Sequence, residues 1–143
     1  MNLYSQLKQA HEKEVNSFPM KFAFSDDQFN QSMQELGLTK DDTDKVISIG
    51  AGGFIRKIDI EAYRELFARM EREHDQAIEN DTTGTGFIKD MFKYELGNHE
   101  YGYTYEINDT LRALSLTYEE VKQSDKLQQG LKLATEECLQ SVE

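Results

Sequence analysis

Apolar positions recur along this chain with two periods, and the points where the period changes divide it into elements. Leu3, Leu7 and Ala10 share a helical face, which predicts a short amphipathic helix over residues 2–15. Pro19 pushes Phe18 toward an extended conformation and ends it. Met20 to Phe24 alternates and reads as a strand. Ser25 and Gln28 have capping-box spacing, opening a helix with Phe29, Met33 and Leu36 on its apolar face and Gly37 as its stop. Thr39 to Asp44 is a polar loop or a single helical turn. Strands near 45–49 and 53–57 follow, joined through Ala51-Gly52-Gly53 as a hairpin. Asp59 then caps the longest helix so far, whose stripe Ile60, Tyr63, Phe67, Met70, His74 and Ile78 lasts about five turns. Asn80 to Gly86 breaks it.

Residues 87–106 read as an amphipathic helix near 87–96, a stop at Gly97, a turn at Asn98-His99 and an aromatic strand near 101–106. On that strand Tyr101, Tyr103 and Tyr105 would share one face. Asn108 or Asp109 caps a short helix through Leu114, Thr117 and Glu120 form a second capping box, and Ser124-Asp125 caps the final helix. The last helix buries Leu127, Leu131, Ala134 and Cys138. A faint echo aligns Phe29–Thr39 with Ile107–Thr117, each expected to follow a strand; duplication and shared capping chemistry explain it equally well. The expected fold is one α+β domain over residues 1–143, a three- or four-stranded antiparallel sheet covered by about five or six helices.

Composition narrows the class. A chain of 143 residues favours a single domain, and 38% hydrophobic with 10% aromatic residues argues against disorder. One cysteine excludes an internal disulfide framework. No apolar run approaches the ~18 residues of a membrane span, and the N-terminus lacks signal-peptide character. The expectation is a soluble, cytoplasmic protein, in which the sequons at Asn30, Asn80 and Asn108 are chance. The net charge of −11 opposes direct binding to nucleic acid or anionic membrane and favours basic protein surfaces, although solubility alone also accounts for it.

Candidate chemistry is sparse. Val46 to Phe54 resembles the start of a dinucleotide fold, but Ile55 stands where a third glycine belongs, so a tight hairpin is the simpler reading. Arg56 and Lys57 beside it could grip an anion or be a solvated strand end. Glu79, Asp81, Thr83, Gly84 and Asp90 fall on calcium-loop spacing, with the wrong acids at the first and last positions. His11, His74 and His99 have no His or Cys at i+3 or i+4, so no zinc pair is expected, and no cofactor is expected either.

Two surfaces remain. Asn98, His99, Glu100 and Tyr101 form a possible ligand-binding turn, where a histidine beside a carboxylate suits acid–base work; the structural alternative has His99 capping the helix end while Asn98 adopts a left-handed geometry. Most acids precede or open helices, where the dipole welcomes them. Glu71, Asp75 and Glu79, extended by Asp81, instead form a like-charge i, i+4, i+8 stripe that Arg72 relieves only partly. Its step of about 6 Å suits a mimic of a phosphate backbone.

At Tyr94-Glu-Leu-Gly-Asn-His-Glu-Tyr101, Ser48-Ile-Gly-Ala-Gly-Gly-Phe-Ile-Arg56 and Phe22-Ala-Phe-Ser-Asp-Asp-Gln-Phe29 the chain resembles small acidic proteins of phages and mobile elements of Gram-positive bacteria. That resemblance implies action against host defence, as anti-CRISPR proteins act, and carries no functional residue with it. The expectation is therefore a non-enzymatic inhibitor that docks Glu71, Asp75, Glu79 and Asp81 on a basic groove of a nucleic-acid-binding effector such as a Cas nuclease. The competing expectation is a ligand-binding or catalytic module centred on Asn98-His99-Glu100.

Overall fold

A computed structural model describes residues 1–141. Its architecture is α+β, with eight α-helices and one three-stranded antiparallel sheet among the described residues. Backbone contacts divide the chain into two compact units, Lys13–Glu71 and Met1–Glu12 with Arg72–Glu143. Two helices, α1 (Leu3–Ser17) and α3 (Ile60–Asn80), contribute residues to both.

The Lys13–Glu71 unit holds the sheet. Strands β1 (Met20–Phe22), β2 (Val46–Gly50) and β3 (Gly53–Arg56) lie in the order β1-β3-β2. Register places Met20 and Ile47 opposite Ile55, and Lys21 and Ser48 opposite Phe54. The β2–β3 hairpin is where Ala51-Gly52-Gly53 predicts it, and it excludes the dinucleotide reading, which needs a helix there. Helix α2 (Asp26–Glu35) lays Met33 and Phe29 on Phe54, with the two rings 5.2 Å apart. Ser25 caps it by accepting from the Gln28 amide, while the Gln28 side chain accepts from Phe24 N–H.

The other unit is helical. Helix α4 (Phe87–Asn98) is its axis and buries Phe87, Ile88, Met91, Phe92, Glu95 and Leu96. Each of the five apolar side chains contributes roughly 1.5–3 kcal/mol on burial, before entropy is counted. Around it are α5 (Tyr101–Thr104), α6 (Asn108–Ala113), α7 (Tyr118–Lys122) and α8 (Asp125–Gln140). Helix α8 makes the most extensive contact with α4. Gly130 permits this approach: a Cβ there would sit 2.5 Å from Ile88 Cγ2 and 2.8 Å from the Gly84 carbonyl oxygen. Lys89 and Lys93 of α4 both pair with Glu137 of α8, at 3.2 and 3.5 Å, and hold its carboxyl below the usual range against the opposing effect of burial.

The structure corrects several expectations. The sheet has three strands, and residues 101–106 are not a fourth: Tyr101–Thr104 is a short helix. Thr104 N–H donates to the Glu100 carbonyl and Tyr105 N–H to that of Tyr101, so local i→i+4 bonds satisfy the backbone and override the strand preference of Tyr and Thr. Helix α4 runs past Gly97 to Asn98, and the left-handed residue is Glu100 (φ 57°), not Asn98. Asp59 lies in a 3₁₀ turn and accepts from Arg56 Nε at 2.8 Å instead of capping α3. The cap residue of α6 is Ile107, without a side-chain bond.

The echo between Phe29–Thr39 and Ile107–Thr117 is a shared helix ending. Gly37 (φ 77°) and Ser115 (φ 56°) occupy the same left-handed position. Leu38 N–H returns to Met33 O, and Leu116 N–H to Leu111 O. No strand immediately precedes the second copy, which follows α5.

Gly84 provides a test of the α4–α8 packing. It has φ 87°, and a Cβ would meet the Lys126 carbonyl group. Gly84→Ala should cost at least about 2–3 kcal/mol from left-handed strain and a backbone clash together. Gly37→Ala, with φ 77° and open space around it, should cost about 1 kcal/mol. Urea unfolding of the two variants measures the difference.

Candidate functional site

The densest polar constellation is built on Glu95, in the helical unit. α4 turns this carboxylate inward among apolar neighbours, where it is 4% exposed. An ionised group there needs donors. Tyr4 Oη, from the first turn of α1, donates to Glu95 Oε1 at 2.7 Å. Lys8 Nζ, one turn later, is 3.4 Å from the same oxygen and lies over the Tyr94 ring, 5.2 Å from its centroid. His99 Nε2, one turn beyond Glu95 on the α4 side, is 3.6 Å from Oε2. Thr110 Oγ1 donates to the Glu95 carbonyl at 3.3 Å. Burial pushes the Tyr4 phenol well above the usual tyrosine range, helped by its hydrogen bond to Glu95.

The same first turn of α1 is fixed at a second point. Leu3 N–H donates to Asp90 Oδ2 at 2.8 Å, and the Asn2 amide donates to the Asp90 carbonyl at 2.9 Å. Asn2 Oδ1 in turn caps Ser5 N–H. Tyr4 also meets Phe87 and His74 edge-on, each with centroids 6.0 Å away. His74 is half-buried there; burial lowers its pKa, a contribution from Asp75 works against this, and His11 reinforces it. His11 Nε2 lies 3.5 Å from Glu73 Oε2.

Of the predicted acidic surface, Glu71, Asp75 and Glu79 are exposed on α3, at the spacing of successive turns. Asp75 approaches only the ring of its neighbour His74, at 3.8 Å, and Glu71 and Glu79 make no ion pair among the described residues. Asp81 is different. Its carboxylate accepts from the amides of Gly84, Gly86 and Ile88 at 2.9, 3.1 and 3.0 Å, tying down the loop and the start of α4. Burial would raise its pKa, but these amides outweigh that and hold it below the ordinary aspartate value. Asp81 and Asp90 thus spend carboxylate oxygens on backbone amides.

Of the other predicted residues, His99 is brought to Glu95, whereas Asn98 and Glu100 are exposed and Tyr101 is half-buried against the core. An open groove of about 580 Å³ in this unit is lined by Leu3, Leu7, Glu73, Ala77, Asp81 and Phe87 among others, and His99 is not among its walls. Cys138 is buried, and burial pushes its thiol up, away from nucleophilic use. The sequence signal for Glu95 is its i, i+4 spacing to His99, which a search for His or Cys neighbours does not register.

No helix among the described residues is long and apolar enough to cross a membrane. Residues 3–137 match DUF7659, a family of unknown function. No curated protein and no solved structure matches the chain.

Two measurements probe the cluster. Tyr4→Phe removes the donor on a buried carboxylate and should destabilise by about 2 kcal/mol, more than Tyr94→Phe, in chemical unfolding. His74 titrates in a separate window. Because its folded pKa is depressed, the unfolded state binds its proton first, so stability should fall as pH drops from the ordinary histidine value of about 6.5 toward the lowered one. His74→Phe should flatten that part of the stability profile.

Proposed function

The chain belongs to the DUF7659 family, whose function is unknown, and we propose that it acts by binding, as a non-enzymatic inhibitor that lays an acidic face on the basic, nucleic-acid-binding surface of a host defence protein in the manner of anti-CRISPR proteins. The observation that carries this reading is the exposed ladder Glu71, Asp75 and Glu79 on α3. Like charges one turn apart cost a helix a few tenths of a kcal/mol per pair, and among the described residues only the His74 ring, 3.8 Å from Asp75, pairs with any of the three. Against a groove lined with lysine and arginine the same ladder gains at every step and displaces nucleic acid from it. Asp81 leaves the contact set, because its carboxylate is committed to the α4 start.

A second reading has one observation in its favour. His99 beside buried Glu95, with Tyr4 and Lys8 on the same carboxylate, is a group of titratable side chains of the kind used in proton transfer. A ligand would have to reach Glu95 past these groups, and the groove described above is walled by other residues. The binding reading is therefore preferred.

The test is capture of a partner from host lysate by the wild-type protein, its identification, and its release by added nucleic acid. Glu71→Lys, Asp75→Lys and Glu79→Lys combined should weaken the isolated pair at least tenfold and flatten its salt dependence. Unchanged affinity in the triple variant would sink the acidic-face reading, and retained binding to a partner that nucleic acid does not displace would sink the inhibitor reading.

A further inference from the structure

We propose that Tyr103 and Tyr105 form a second contact surface, which takes an arginine-bearing segment of a partner protein. The proposal rests on the reading of an acidic protein that docks on a basic one, but on other residues. The segment from Glu100 to Glu106 is a knuckle closed at both ends by left-handed residues, Glu100 and Tyr105, each with φ 57°. Non-glycine residues adopt this conformation at a cost, and a bulky tyrosine rarely does. Several of the knuckle's amides are nonetheless bonded. Tyr103 and Thr104 N–H both donate to the Glu100 carbonyl, and Glu106 N–H donates to Thr104 Oγ1 at 3.2 Å. Tyr101 anchors it, half-buried against the core, with its ring 6.2 Å from that of Tyr105 in an edge-on arrangement.

This segment holds two large rings out in water: Tyr103 is 78% exposed and Tyr105 69%. Neither belongs to the core. Tyrosine at such a position is a low-entropy contact group with an apolar face and a polar tip. What would cover it follows from charge. The surrounding unit, residues 1–12 and 72–143, has sixteen acidic against eight basic side chains, and exposed Glu100 and Glu106 flank the two tyrosines in sequence. An electron-rich ring face on an acidic unit is the recognition chemistry of a guanidinium, which stacks flat on the ring while its fork meets an acid. Lysine offers a point charge without the stack, and acidic ligands are repelled.

The experiment is fluorescence anisotropy of a labelled oligo-arginine peptide with the full chain, an oligo-lysine peptide of equal length serving as comparison. Wild type should prefer arginine. Tyr103→Ala with Tyr105→Ala, which leaves net charge unchanged, should bind oligo-arginine about tenfold more weakly and lose the preference. Tyr103→Phe with Tyr105→Phe should keep both, and its retention separates ring contact from misfolding, which circular dichroism of the alanine pair checks as well. Glu71→Lys, Asp75→Lys and Glu79→Lys should lower affinity for both peptides yet leave the arginine preference, so failure of the acidic ladder and failure of the tyrosine knuckle read differently. Equal binding by the alanine pair and wild type overturns the proposal. So does an alanine pair that turns a sedimenting dimer into a monomer without changing peptide affinity, since the rings would then face a second copy of the chain.

Discussion

Helix α4 buries half of its residues, and it carries a carboxylate on that buried side. Glu95 at 4% exposure is a group that water would solvate far better than protein does, so the arrangement holds only because donors converge on it. Tyr4 makes the short bond, and Lys8 and His99 approach the same carboxylate, Tyr4 and Lys8 from α1 and His99 from the end of α4 itself. The first turn of α1 is thereby specified rather than merely packed. An apolar residue at 95 would tolerate Leu3, Tyr4 or Leu7 facing it in several ways, whereas a carboxylate accepts one. The Asp90 contacts with Asn2 and Leu3 repeat the same logic about one and a half turns earlier on α4.

This division of labour separates the two sides of α4. Toward α8 the packing is dry and close, set by Gly130 and Gly84, and closed at its edge by Glu137 with Lys89 and Lys93. Toward α1 the contact is polar and directional. Dispersion and burial supply most of the energy in the first case, and hydrogen bonds supply the register in the second. The Tyr4 ring serves both, since its edge contacts with Phe87 and His74 are apolar while its hydroxyl satisfies Glu95.

Local chemistry was legible in the sequence wherever one or two residues decide the outcome. Ser25, Thr117 and Ser124 cap their helices as their spacing predicts, the Ala51-Gly52 hairpin forms, and α8 buries Leu127, Ala134 and Cys138 of its predicted face. Reading failed where the decision is tertiary. The alternating tyrosines at 101–105 carry strand propensity, yet a left-handed Glu100 starts a helical turn, and no propensity scale marks a glutamate for that conformation. Glu95 looks like any surface acid until α1 is placed against it. Asp81 reads as the continuation of a charged stripe because linear spacing says nothing of the amides of Gly84, Gly86 and Ile88 folding back onto it.

That last distinction bears on what a net charge of −11 means. Two sets of acids in this protein contrast. Asp42, Asp59, Asp81, Asp90, Glu95, Glu120 and Glu137 have their oxygens taken by backbone amides, hydroxyls or cationic side chains, and their loss would be felt in stability. Among the described residues Glu71 and Glu79 make no ion pair and Asp75 pairs only with the His74 ring, and the three repel one another along a single helix. A chain that needed acidity for solubility alone could scatter those charges at less cost. The proposed docking on a basic surface would use that alignment, since charge of opposite sign turns the repulsion into attraction.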